Sequence, residues 1–207
     1  AIAIHNARLY AREIARANEL NALYAAGRAI HAAGVDRAPV LQAILEQAVL
    51  ATGAHFGTLQ LKQGDHLEFV AAWPIAERSR LQETYGRMSI HGTGITARVA
   101  RENHYVLAPD VTQEPNYEPG SDTTRSELAV SLRRGGEEDG PCEGVLNVEH
   151  QEVGGLGPQH VQSLINLSNL AVVALQNARQ AEELTRSNAI AVMGAWGADW
   201  AWVRTRA

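Results

Sequence analysis

Reactive side chains are few in this sequence, and their spacing excludes more chemistry than it suggests. The single cysteine, Cys142, rules out a disulfide framework and fits a reducing compartment, the cytoplasm. His66-Leu-Glu68 and Pro141-Cys142 half-imitate a zinc deaminase pattern, in which histidine and paired cysteines hold the metal and a glutamate moves protons. The second cysteine is missing and the order of strands is wrong, so that reading is dismissed. There is no Gly-x-Ser-x-Gly elbow, no His-Glu-x-x-His helix and no phosphate loop. Gly92-Thr-Gly94 alone predicts only a tight turn before a helix.

The elements around these residues are more informative. Two runs alternate as strands do: Leu128, Val130 and Leu132 against Glu127, Ala129 and Ser131, then Leu146 and Val148 against Val145, Asn147 and Glu149. The Gly-rich, charged stretch from Arg133 to Glu143 predicts a hairpin loop between them. The centre is therefore an antiparallel sheet with one face packed and one free to line something. Upstream, Asp36 is a helix cap, Pro39 lies in the first turn, Leu41, Ile44, Leu45 and Ala48 form an apolar face, and Gly53 ends the helix. Strands are expected at Phe56 to Leu61 and Leu67 to Trp73 around a Gln63-Gly64-Asp65 turn, with Leu67, Phe69, Ala71 and Trp73 on one face. Pro74 stops the second strand. Glu77 to Tyr85 reads as a short surface helix, a second short helix starts near Gly94, and Tyr105 and Leu107 alternate in a brief strand ending at Pro109 and Asp110. The polar stretch from Val111 to Thr124, with two prolines, is the longest irregular segment and has the character of a lid.

Long helices are expected at both ends. Ile4, Ala7, Ala11 and Ile14, then Leu20, Leu23, Gly27 and Ile30, make an interrupted heptad seam that would pair two parallel copies. Ile4-His-Asn-Ala-Arg8 echoes Leu175-Gln-Asn-Ala-Arg179, so the opening helix reads as the exit helix of an earlier, similar domain, and the chain, lacking an initial methionine, as a piece of something longer. From Pro158, Leu164, Leu167, Ala171, Ala174, Ala178 and Ala181 predict more than thirty residues of helix, whose far end concentrates Trp196, Trp200 and Trp202. The expected organisation is a linker helix over 1–34, one domain over 35–180, and an exit helix leading into a truncated output region over 181–207. With 45% hydrophobic residues the 207-residue chain can bury a full core. A net charge of -5, with Lys62 the only lysine, argues against nucleic acid, and no apolar run is long enough to insert in a membrane.

Read together, "GTGITARVARENHYVLAPDVTQEPNY", "RSELAVSL" and "EGVLNVEHQEVGGLGPQHVQSLINLSNLAVVALQNAR" resemble a GAF domain, the small-molecule sensing and dimerisation module of bacterial signalling proteins, over roughly residues 36 to 180. One departure is Ser131, where the family usually has proline. The resemblance implies an α+β fold, related to the PAS fold: a central antiparallel sheet of five to six strands with helices on one face and long N- and C-terminal helices. It implies a ligand pocket faced by Trp73, Ile95, Asp110, Tyr117, Ser126, Glu127 and Asn147, although Asp110 could instead cap the following turn and Tyr117 cover the sheet. It also narrows the chemistry. Family members that reduce free methionine sulfoxide need paired cysteines. A bilin would need a cysteine on the helical side of the pocket, not in the hairpin. A haem would call on His55, His66, His91 or His104, and the cyclic-nucleotide set of Asn, Lys, Phe, Asp and Glu is missing. No metal is expected and no cofactor is required. The expectation is a non-enzymatic sensor, homodimeric through its flanking helices, that relays an unknown small molecule's presence to a covalently linked output domain. The tail resembles the first helix of a histidine kinase dimerisation region, with Trp202 where the phosphoacceptor histidine would stand. The alternatives are a ligand-free structural spacer and a haem-based sensor.

Overall fold

The computed structural model describes residues 37–115, 117–118, 121–134 and 140–204, with side chains described as far as residue 187. The expected opening helix and the tryptophan side chains of the tail lie outside the described residues. The elements run α1 (Arg37–Thr52), β1 (Phe56–Gln63), β2 (His66–Trp73), α2 (Arg78–Tyr85), β3 (Arg87–Ser89), α3 (Ile95–Glu102), β4 (Val106–Ala108), β5 (Ser126–Arg133), β6 (Cys142–His150) and α4 (Pro158–Arg204). Short 3-10 turns occupy Ile75–Glu77 and Val111–Gln113.

The strands form one six-stranded antiparallel sheet in the order β3-β2-β1-β6-β5-β4. Alternation in β5 and β6 is as read. Leu128, Val130, Leu132, Leu146 and Val148 meet Leu41, Ile44, Leu45 and Ala48 of α1 and Leu164, Leu167, Ala171 and Leu175 of α4 in the main core. Each such leucine removed from water contributes about 1.5–3 kcal/mol before entropy is counted, so this layer supplies most of the driving force for folding. α1 sits so close to the sheet that a Cβ on Gly57 would lie 2.9 Å from both Leu45 and Val49 side-chain carbons. At its end Gly53 takes φ 67°, the left-handed conformation that lets a glycine close a helix.

β2 departs from the expected pattern. Leu59 pairs with Ala71 and Gln60 with Phe69, so Val70 is an extra residue opposite a break in register. A bulge shifts the alternation by one and sends later side chains to the other face. Leu67 and Phe69 accordingly face away from the α1 and α4 layer, whereas Ala71 and Trp73 pack into it. The expectation that these four share a face is thereby corrected.

The second face of the sheet is covered too. Ile95, Val99 and Ala100 of α3 pack with Val111 of the following loop on Leu67, Ala129 and Val145. Gly94, at φ 88°, makes the turn into α3 that the Gly-Thr-Gly run predicts. Cys142 opens β6, opposite Arg133, rather than lying in the hairpin loop.

Candidate functional site

α3 covers only part of that second face, and a cleft remains over β1, β6 and the start of β5, with an empty volume near 670 Å3 including its mouth. Its floor is polar because alternate residues of the central strands point there: Thr58 and Gln60 from β1, Glu127 from β5, Asn147 and Glu149 from β6. Its walls are mainly apolar, with Phe69 of β2, Leu81 and Tyr85 from α2, Met88 from β3 and Ile95 from α3, and Arg80 of α2 and Thr96 of α3 add polar groups. Glu118 and Ser121, in the irregular stretch read as a lid, complete the rim. Thr93 donates to Glu118, and Arg98 of α3 holds Glu114 at 2.8 Å, so the stretch is fastened to α3 and to the turn before it.

The floor concentrates acceptors. Glu127 and Glu149 are direct cross-strand neighbours, 4% and 5% exposed. Burial, then the Glu149 charge, pushes the Glu127 carboxyl well above the usual range. Burial also raises Glu149, against the opposing bonds it accepts from Thr124 Oγ1 at 2.5 Å and Asn147 Nδ2 at 3.1 Å. Asn147 Oδ1 and Gln60 Oε1 are buried without a hydrogen-bond partner. The Gln60 amide nitrogen has only the Met88 sulfur, 3.3 Å away. A fold does not leave two buried amide oxygens unsatisfied without cost, about 1–3 kcal/mol each, unless something else meets them.

Three of the residues proposed to face a pocket line this cleft together: Ile95, Glu127 and Asn147. Tyr117 lies beside Glu127 but is not among the lining residues. Burial and the Glu127 and Glu149 charges raise its phenol, yet its oxygen makes no hydrogen bond of normal geometry even with Glu127 beside it. The others are placed elsewhere. Trp73 packs against the α1 and α4 layer. Asp110 caps the 3-10 turn, accepting from Thr112 N at 3.0 Å and Thr112 Oγ1 at 2.7 Å. Ser126 Oγ donates to the Glu152 carbonyl at 2.8 Å and accepts from Leu156 N at 3.1 Å, tying the loop before α4 to the sheet. Sequence reasoning missed Thr58, Gln60, Phe69, Leu81, Tyr85, Met88 and Glu149. For Glu149 the signal was present, since it shares a face with Asn147 two residues earlier.

Other chemistry finds little support at the cleft. None of His55, His66, His91 and His104 lines it, nor does Cys142, whose thiol pKa burial raises. Among the described residues no three His, Cys, Asp or Glu side chains are grouped to hold a metal, and no helix is long and apolar enough to cross a membrane.

A family model described as "GAF domain" matches residues 35–176. Solved structures share the fold at low identity. The GAF domain of a phosphoenolpyruvate-protein phosphotransferase from Coxiella burnetii aligns with TM-score 0.65 at 16% identity, over 80% of this chain and 97% of that one. A free methionine-R-sulfoxide reductase from Neisseria meningitidis, in complex with its substrate, aligns with TM-score 0.60 at 20% identity, over 82% of this chain and 90% of that one. Residues 122 to 287 of a methyl-accepting chemotaxis protein align with TM-score 0.59 at 16% identity, over 75% of this chain and 96% of that one. Among curated proteins none matches the chain.

Proposed function

This chain belongs to the GAF domain family, and on that premise we propose that it is a sensory and regulatory module, which binds a small molecule in the cleft and relays its presence through α4 to an output partner. The observation that carries the reading is the pair of buried, unpartnered amide oxygens, Gln60 Oε1 and Asn147 Oδ1, on the floor of an apolar-walled cleft. The relay has a physical route. Glu143, buried on β6, the strand that carries Asn147 and Glu149 of the floor, accepts from Arg179 of α4 and from Arg134 of the hairpin, each at 2.6 Å. A ligand that shifts β6 against β1 works on α4 through that clamp and the shared core.

The reading is of binding rather than turnover. The Neisseria relative is a reductase, but this chain's one thiol lies outside the cleft and is held protonated by burial. Action as a homodimer, with the flanking helices side by side, in the cytoplasm, completes the proposal. Its direct test is native mass spectrometry of the purified chain, joined to thermal melts against a metabolite panel. A retained small molecule, or a melting rise of several degrees with one compound, is expected. An unliganded dimer that no compound shifts would leave the ligand-free spacer in its place.

A further inference from the structure

The cleft is short of donors, and that shortage defines what would fill it. Asn147 directs its amide nitrogen to the Glu149 carboxylate, which fixes the orientation of the amide and turns Oδ1 toward a missing donor. Gln60, 3% exposed, presents a second bare oxygen from the neighbouring strand. Glu127 has the Tyr117 phenol beside it as a donor, and it stands directly opposite Glu149. Like charges opposed across a sheet repel, and burial removes the water that would screen them. Two cations relieve this in part, since the Arg98 and Arg80 charges favour the ionised forms of Glu127 and Glu149, but burial acts more strongly the other way. Arg98 is engaged with Glu114, and Arg80, at the rim with about half its side chain exposed, gives its Nε to Glu77 at 2.7 Å. Around this acceptor floor stand Phe69, Leu81, Tyr85 and Met88, apolar surfaces of which two are aromatic faces that favour a neighbouring positive charge.

We propose that the cleft takes a small organic cation carrying hydrogens on its charged nitrogen, an ammonium or a guanidinium on a compact apolar body, seated against Glu127, Asn147, Glu149 and Gln60. This rests on the reading of the cleft as a small-molecule site and narrows it. Both features of the nitrogen are needed: positive charge satisfies the carboxylate pair, and N–H groups satisfy the amide oxygens, which a quaternary ammonium would leave bare. Anionic metabolites are disfavoured by the same floor.

The test uses probes of matched size on the full chain, followed by calorimetry and saturation-transfer NMR: 2-phenylethylamine and benzamidine as N–H cations, phenyltrimethylammonium as a cation without N–H, 2-phenylethanol as a neutral analogue and 3-phenylpropionate as an anion. The N–H cations are expected to bind, the quaternary cation about tenfold more weakly, and the neutral and anionic probes more weakly still. Glu127→Gln with Glu149→Gln, checked for an unchanged circular dichroism spectrum, is expected to lose roughly tenfold or more in affinity for benzamidine. Glu68→Gln, an exposed charge on β2 outside the cleft, leaves it unchanged. Equal or tighter binding of the alcohol or the carboxylate, displaced from the cleft by substitution at Gln60, would overturn the cationic class while keeping the small-molecule site. If none of the probes binds but native mass spectrometry finds a non-cationic molecule, the same conclusion follows. If neither method detects any binding, the broader reading falls as well.

Discussion

Two carboxylates held opposite one another on adjacent strands make a measurable statement about protons. Burial raises both Glu127 and Glu149, and the Glu149 charge raises Glu127 further, while Tyr117, Glu114, Arg98 and Arg80 complete the ionisable surroundings. In the unfolded chain a glutamate titrates near about 4.3. Between that value and the raised folded one, the folded protein binds more protons than the unfolded, so stability is fully present below the unfolded value and is lost as pH rises through the folded one. The expected outcome is a melting temperature that declines from about pH 5 to pH 8 at constant ionic strength. Glu149→Gln removes one titrating partner and should flatten the decline. Differential scanning calorimetry of both proteins across that range checks it. A wild-type profile that climbs instead would mean the pair is ionised throughout and compensated by groups other than those named.

At the scale of the elements, the register of β1 against β6 decides whether the floor exists. Gly144 lies between Leu61 and Leu132, and a Cβ there would stand 2.3 Å from the Gln60 carbonyl oxygen, a backbone atom that cannot step aside. Gly144→Ala should therefore prise β1 from β6 and cost about 3 kcal/mol in chemical denaturation. It should also weaken probe binding, because Gln60 moves with its strand. The same elements show what a sequence discloses. β5 and β6 were legible because from Ser126 to Leu132 and from Gly144 to His150 they keep an unbroken alternation with one face on α1 and α4, so Glu127 and Asn147 could be assigned to the other face directly. β2 was not, because the bulge at Val70 leaves no mark in composition and puts Leu67 and Phe69 on the opposite face from Ala71 and Trp73, hiding Phe69 as a wall residue and misplacing Trp73. Asp110 was legible as a cap for the following turn, whereas Ser126 was legible as polar but not as already bonded, since its partners Glu152 and Leu156 are settled by loop geometry. The α2 wall of Leu81 and Tyr85 reads as an ordinary surface helix until the sheet curves beneath it.

For the molecule as a whole, α4 raises a question that a single copy does not answer. A helix over Pro158–Arg204 runs for roughly 70 Å, and although its first turns are buried against the sheet and α1, all residues from Glu182 to Ser187 are exposed. Helical segments without tertiary packing are marginal in water, so a partner surface is the simplest source of their stability. The outer face carries Val173 and Leu184, 44% and 66% exposed and about three turns apart, in line with a seam. If two copies pack along α4, a ligand-driven displacement of β6 reaches the partner through Glu143 and Arg179, and the pairing is part of the signal as well as of the stability. Val173→Glu with Leu184→Glu places like charges across that seam. Sedimentation equilibrium should then find wild type dimeric and the double variant monomeric at roughly tens of micromolar, with the variant losing the rise of melting temperature with protein concentration that a dimer shows. A wild-type monomer at that concentration would confine the signal to one chain and return α4 to the role of a rigid strut.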